Sequence, residues 1–384
     1  MQFEFATANR ITFGAGKLRQ AGPTIKSAGK RPLVVTGKNI ERAEPLFKIL
    51  RENKIESATF SVSGEPKIQT IRDGVALATS ENCDWVISIG GGSVLDTGKA
   101  IAAMMTNEGD VLNYLEIIGQ GKALAKASAR FLAIPTTAGT GSEVTRNAVL
   151  ASPEHRLKVS LRSPLMLPEM ALVDPELIYD LPPSITASTG LDALTQLIEP
   201  YVCSRANPMT DAICTEGIGR VARSFRRAVE NGHDADARAD MSVASLFGGM
   251  ALANAGLGAV HGFAGPIGGM FSAPHGEICA ALLAGVMEIN LRALREREAK
   301  SSALNRYDVV ARLLTENCEA TADAGIQWVR NLVHDFKIPR LAAHGIKSED
   351  IPEIVKNAMN ASSMKANPIT LSEAELSEIL RRAL

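Results

Sequence analysis

Residues 84–99 read DWVISIGGGSVLDTGK, from Asp84 to Lys99. The apolar run at 84–89 is too short for an ordinary helix and is bounded by glycines, which predicts a strand buried on both faces. It opens onto Gly90-Gly91-Gly92, and the pattern after the glycines predicts a helix over 93–105. Strand, tight turn and helix in that order make one unit of a parallel sheet covered by helices. The same alternation extends in both directions. Upstream, strands are predicted at 32–36 and 59–62 and helices at 42–53 and 68–80, after an extended start that turns at Gly14-Ala15-Gly16. Downstream, a strand at 131–134 leads into a loop of small residues at 136–142, with further extended pieces at 158–161 and 171–173. The character changes near Leu181-Pro182-Pro183. Beyond it the periodicity predicts helices at 187–202, 211–229, 237–253, 279–291, 307–314, 318–336, 348–358 and 372–383. The chain is therefore expected to hold an α/β domain of residues 1–182 and an all-α domain of residues 183–384.

Composition narrows the function classes. The 384 residues are 46% hydrophobic and 22% charged, the balance of a globular protein with a full core. A net charge of −1 gives no electrostatic case for a nucleic acid or membrane partner. The most apolar long run, 247–260, is too short and glycine-rich for a membrane span, and the first ten residues lack the basic and apolar regions of a secretory signal. Cys83, Cys203, Cys214, Cys279 and Cys318 form no C-x-x-C pair and no metal-ligand spacing. They read as free thiols in a reducing, cytoplasmic setting.

Three motifs carry chemistry. In the first, Gly91, Gly92 and Ser93 open a helix directly after a strand, where backbone N–H groups and the helix dipole suit a phosphate. The turn is neither G-x-G-x-x-G nor a P-loop, and a purely structural turn reads equally well. In the second, PTTAGTGSE at 135–143, Thr136, Thr137, Thr140 and Ser142 place four hydroxyls in seven positions after another strand end. Such a loop suits a ribose or pyrophosphate beyond the carboxyl ends of a parallel sheet, or else a capped helix start. In the third, TGLDALTQLIE at 189–199, Asp192 and Gln196 share a helix face. A buried Asp192 needs a partner or a metal; at the surface it would simply complement the helix dipole.

His261 and His275 lie in the glycine-rich stretch 256–276. On one straight helix their rings would stand about 21 Å apart. Pro266, Gly268, Gly269 and Pro274 argue for a bend that lets them converge. One carboxylate and two imidazoles suit Fe(II) or Zn(II) with room for a substrate. Phe263 and Phe271 are candidates for pocket walls or for core.

Taken in order, these motifs resemble the iron-containing (group III) alcohol dehydrogenases nearly end to end. The resemblance rests on Phe13-Gly14, the GGGS turn with Asp96 and Lys99, PTTAGTGSE, Val173-Asp174-Pro175, TGLDAL, the HG and PHG elements around His261 and His275, and SMKANP at 363–368. It implies a dehydroquinate synthase-like fold, with the active site in the cleft between a dinucleotide-binding domain and a helical domain. It implies hydride transfer between an alcohol and an aldehyde or ketone with NAD or NADP, a homodimer, and a metal on Asp192, Gln196, His261 and His275. Asp192, His261 and His275 are thereby the expected catalytic positions. The family pattern has His at the position of Gln196, and many members carry a further His where this chain has Gly265. The cofactor positions implied are Gly37, Lys38, Gly91, Gly92, Ser93, Asp96, Thr136, Thr137, Thr140 and Lys158. NAD-preferring members often have an Asp at Gly37; with Lys38 next to it, the sequence leans toward NADP(H). By the same resemblance Glu65 would stand at the adenine-side ribose and Lys158 at the nicotinamide ribose. Maleylacetate reductases belong to the same family, and a dehydroquinate synthase-like lyase or a non-catalytic nucleotide binder would share the architecture.

Overall fold

The computed structural model describes residues 2–384. The chain divides into two compact units, one of Thr7–Thr137 with Gly141–Asp180, the other of residues 2–6, Ala138–Thr140 and Leu181–Leu384.

The first unit runs β1 (Arg10–Phe13), α1 (Gly22–Ala28), β2 (Pro32–Gly37), α2 (Glu44–Glu52), β3 (Ala58–Val62), α3 (Ile68–Ser80), β4 (Trp85–Gly90), α4 (Gly92–Met104), β5 (Arg130–Pro135), β6 (Asn147–Ser152), β7 (Leu157–Arg162) and β8 (Met170–Val173). Six strands form one parallel sheet in the order β1-β8-β5-β4-β2-β3, and β6 and β7 form an antiparallel hairpin. β2 and β4 are buried almost throughout, as their unbroken apolar runs require. Two apolar cores result, one holding Leu33, Val86, Ile101 and Phe131, the other Val34, Leu46, Trp85 and Ile87. Alternate residues of β2 and β4 thus serve opposite faces of the sheet. At Gly98 the helix α4 lies directly on β4: a Cβ there would fall 1.9 Å from Ser88 Oγ. The strand order reverses between β2 and β4, so Gly37 and Gly90–Gly92 flank the switch point where parallel sheets take ligands.

The second unit holds α5 (Pro183–Val202), α6 (Pro208–Glu230), α7 (Ala235–Ala255), α8 (Ala259–Met270), α9 (His275–Arg297), α10 (Ser302–Thr315), α11 (Ala322–Asp335), α12 (Ile351–Met359) and α13 (Glu373–Ala383). α5 is its axis, with residues 190–202 all buried and α6, α7, α9 and α10 packed on it. Among the described residues no single helix is long and apolar enough to cross a membrane.

Three local expectations change. Pro266, Gly268 and Gly269 lie inside α8 rather than breaking the chain; the bend is at 271–274. α9 begins at His275, four residues before its predicted start. α1 and the first strand of the β6–β7 hairpin were not anticipated: α1 is a short helix, and β6 has only one face buried.

Candidate active site

α5 presents Asp192, Gln196 and Glu199 along one face, at 2%, 2% and 4% exposure. α8 and α9 are joined by a sharp turn, so His261 and His275 meet with ring centroids 5.4 Å apart. Asp192 Oδ1 lies 3.5 Å from His261 Nε2 and 3.6 Å from His275 Nε2. Cys279, one turn after His275, brings its Sγ to 3.9 Å from His261 Nε2 and 3.7 Å from His275 Nε2. Ligand atoms of all four residues lie within 4.8 Å of one another; among the described residues this is the one such cluster of His, Cys, Asp and Glu.

Glu199 sets the orientation of His261. Its Oε2 accepts the Nδ1 proton at 2.7 Å, and its Oε1 accepts the backbone N–H of Val260 at 2.7 Å. This holds the ring by its Nδ1 side and turns the Nε2 edge toward Asp192. The start of α8 is held from the far end of the chain. Asn367 Oδ1 accepts the Ala259 N–H at 3.1 Å, and Asn367 exchanges hydrogen bonds with Asn290 of α9. At Gly276, α9 touches the backbone of α5, and a Cβ would come within 2.7 Å of the Ser188 carbonyl oxygen. These contacts bring the three helices close enough for their side chains to converge.

The electrostatics favour a cation. Burial alone would raise the Asp192 carboxyl, but His275 and His261 beside it hold it below the usual carboxylate range. Burial alone would depress both imidazoles, but Cys279 and Asp192 pull them up, His261 strongly. Asp192 Oδ1 and Gln196 Oε1 are buried without a hydrogen-bond partner. A divalent ion satisfies this donor set, so the residues present fit a metal. Gln196 packs toward α7 at Gly248. Replacing Glu199 with Gln removes the acceptor that fixes the imidazole tautomer while keeping its shape. Metal affinity is expected to fall about 10–100-fold, read by chelator competition.

The other predicted positions lie at strand ends in the first unit. Gly91 caps α4 with no side-chain cap, leaving first-turn N–H groups of Gly92 and Ser93 for a ligand. Gly37 ends β2, and Lys38 after it is exposed. Thr136 and Thr137 follow β5; Thr140 belongs to the short piece grouped with the helices. Asp96 spends its carboxylate within the protein, accepting from Ser142 Oγ at 2.5 Å and from Val149 N at 2.9 Å. Lys158 pairs with Glu65 at 3.1 Å, so two residues expected at different riboses stand side by side. Phe263 is fully buried, which makes it core rather than an open pocket wall.

The iron-containing alcohol dehydrogenase family matches residues 8–175, and its C-terminal family matches residues 186–384. The chain belongs to the iron-containing alcohol dehydrogenase family. Alcohol dehydrogenase 4 of Schizosaccharomyces pombe is 37% identical over 97% of this chain and 87% of its own length. Choline dehydrogenase of Bacillus subtilis is 34% identical over 99% and 94%. A crystal structure of 1,3-propanediol oxidoreductase superposes with a TM-score of 0.92 at 35% identity, covering 100% of both chains. The protein is thus an NAD(P)-dependent alcohol and aldehyde oxidoreductase of a family that uses a divalent metal.

Within this iron-containing alcohol dehydrogenase, reading the sequence missed Cys279 and Glu199. Both carried a signal. Glu199 follows Asp192 by seven residues, two turns along the same face of α5, and Cys279 follows His275 by four. The second spacing became visible only once α9 was known to begin at His275.

The loop after β5 contains Glu143, whose carboxyl burial pushes up to about 7, against its own backbone N–H and the nearby Lys99. Between about pH 4.5 and 7 the folded chain keeps this proton and the unfolded chain has lost it. Stability is therefore expected to fall as pH rises through that window, by roughly 3 kcal/mol in total. The Glu143→Gln variant should lose this slope in denaturant titrations; an unchanged slope would place the proton elsewhere.

Proposed function

We propose that this chain interconverts a primary alcohol and its aldehyde by hydride exchange with NAD(P)(H), at a metal held by Asp192, His261 and His275. The observation that carries the reading is the approach of one buried, unpartnered carboxylate oxygen to two imidazole Nε2 atoms within 3.6 Å. Relatives named for choline and for 1,3-propanediol, both primary alcohols, support the substrate class.

Each part of the chain has its task. The N–H groups at Gly91–Ser93 and the hydroxyls of Thr136, Thr137 and Thr140 hold the dinucleotide phosphates and ribose. Gly37 in place of an acidic residue leaves space for a 2′-phosphate and Lys38 supplies a cation beside it, so NADP(H) is the preferred cofactor. Asp192, His261 and His275 would hold the metal, and the buried apolar helices around them exclude water. Glu199 holds the His261 ring still. When bound, a divalent metal supplies Lewis acidity toward the substrate oxygen and the nicotinamide supplies the hydride chemistry. The functional unit is a homodimer in this reading.

The test is reduced-nicotinamide absorbance with a panel of primary alcohols and aldehydes, each cofactor, and added Fe(II) or Zn(II). Turnover that a chelator abolishes and metal restores is expected. Turnover indifferent to chelation would sink the metal assignment, and none with any pair would sink the substrate class.

A further inference from the structure

The resemblance assigns an imidazole to position 196, and this chain has an amide there. A neutral amide oxygen is a weaker donor than imidazole, so the cluster would be one strong ligand short. The structure supplies a replacement from another helix. Cys279 is fully buried and faces the same point as His261, His275 and Asp192. We propose that Cys279 binds the metal as a thiolate, replacing the imidazole the family has at position 196, and that the resulting O, N, N, S set selects Zn(II) over Fe(II). The proposal rests on the metal-dependent reading above and deepens it.

Three lines of argument converge. The first is spacing. Tetrahedral zinc with bonds of about 2.0 Å to N and O and 2.3 Å to S has edges of roughly 3.3 Å between N and O and 3.5 Å between N and S. The observed separations are 3.5 and 3.6 Å for carboxylate to imidazole and 3.9 and 3.7 Å for sulfur to imidazole. These four separations need to close by only a few tenths of an ångström to match the edges of the shell.

The second is hydrogen-bond accounting. His261 engages Glu199 through Nδ1, so its Nε2 edge is what it presents to the cluster. Asp192 Oδ1 has no donor. One thiol proton cannot serve both of these and His275 Nε2 as well. A cation satisfies all four atoms at once and takes the place of that proton.

The third is donor softness. Thiolate with imidazoles favours zinc, and zinc already stands above Fe(II) in the general affinity order for N, O and S sites. Exchanging an imidazole on α5 for a sulfur on α9 therefore changes which ion is retained, while Asp192, His261 and His275 stay in place.

The test uses the whole protein loaded with Co(II), a spectroscopic stand-in for zinc. A thiolate-to-cobalt charge-transfer band in the near ultraviolet is expected in the native chain and should vanish in Cys279→Ser. Zinc affinity of that variant should drop on the order of a hundredfold or more, since loss of an outer hydrogen-bonding partner alone costs 10–100-fold. Fe(II) affinity should drop less. The double variant Cys279→Ser, Gln196→His should regain the metal without the band. If Cys279→Ser does not fold, X-ray absorption on the native zinc protein decides, with one sulfur expected at about 2.3 Å. Cobalt bound without the band, or zinc with only nitrogen and oxygen neighbours, overturns the role of Cys279 and leaves the metal. Failure to take up either ion overturns the metal site as well.

Discussion

His261→Ala is expected to remove metal and turnover together. The ring is the only group of α8 in the cluster, and it faces Asp192 and Cys279 with Nε2 while Glu199 holds Nδ1. Without it the buried Glu199 keeps its bond from the Val260 N–H and loses its ring partner, and Asp192 loses one of the two imidazoles that favour its ionised form. Lewis-acid stabilisation worth several kcal/mol corresponds to a rate loss on the order of 10³ or more. Metal content by elemental analysis should fall far below one ion per chain, and kcat should fall with it. Far-ultraviolet circular dichroism should be unchanged, because α8 is held at its start by Asn367 and not by the metal. Full activity in the variant would remove His261 from the mechanism.

Lys99→Met should produce the largest stability change in the first unit. Lys99 is 1% exposed, yet its ammonium donates to the Ser142 carbonyl at 2.8 Å, Ser142 Oγ at 3.0 Å, Thr145 Oγ1 at 2.9 Å and the Asn147 carbonyl at 2.7 Å. Burial pulls this ammonium down, while Asp96, 3.5 Å away, opposes that. Methionine matches the aliphatic length but donates to none of these four acceptors and removes the ammonium beside the Asp96 carboxylate. Breaking one partner of such a buried set costs about 3–5 kcal/mol. For a unit of this size that is roughly a 6–20 °C fall in Tm. The loop at 142–147 loses its anchor, so nucleotide affinity should weaken in the same variant. A Tm within a degree or two of the native protein would mean that solvent reaches this site.

Much of this architecture was legible because parallel strands buried on both faces leave apolar runs, and β2 and β4 have little else in them. Asp192, His261 and His275 could be singled out as residue types, but their meeting depends on a turn only four residues long at 271–274. α8 itself was hidden. Gly262, Gly265, Pro266, Gly268 and Gly269 are poor helix formers, and the segment is helical because Ala259–Ala264 are buried on all sides. Cys279 was obscured for a related reason: Pro274-His275-Gly276 reads as loop, so the i, i+4 relation of His275 and Cys279 did not stand out. Glu199 closes an apolar helix pattern, and nothing local to it shows that its partner is a histidine 62 residues away.

The bond from Asn367 to the start of α8 bears on how the enzyme is made. Except for three loop residues, the first unit is built entirely from residues 7–180, so a nascent chain can complete that core with more than half of its sequence still to be translated. The helical unit cannot do the same. Ala259, two residues before His261, is pinned by Asn367, which is itself braced by Asn290 of α9. Asn367 lies 108 residues beyond Ala259. The helix bearing His261 is therefore secured only after residue 367 has been made. A chain truncated before Asn367 is therefore expected to keep its first unit and to lose the anchor of the helix that carries His261.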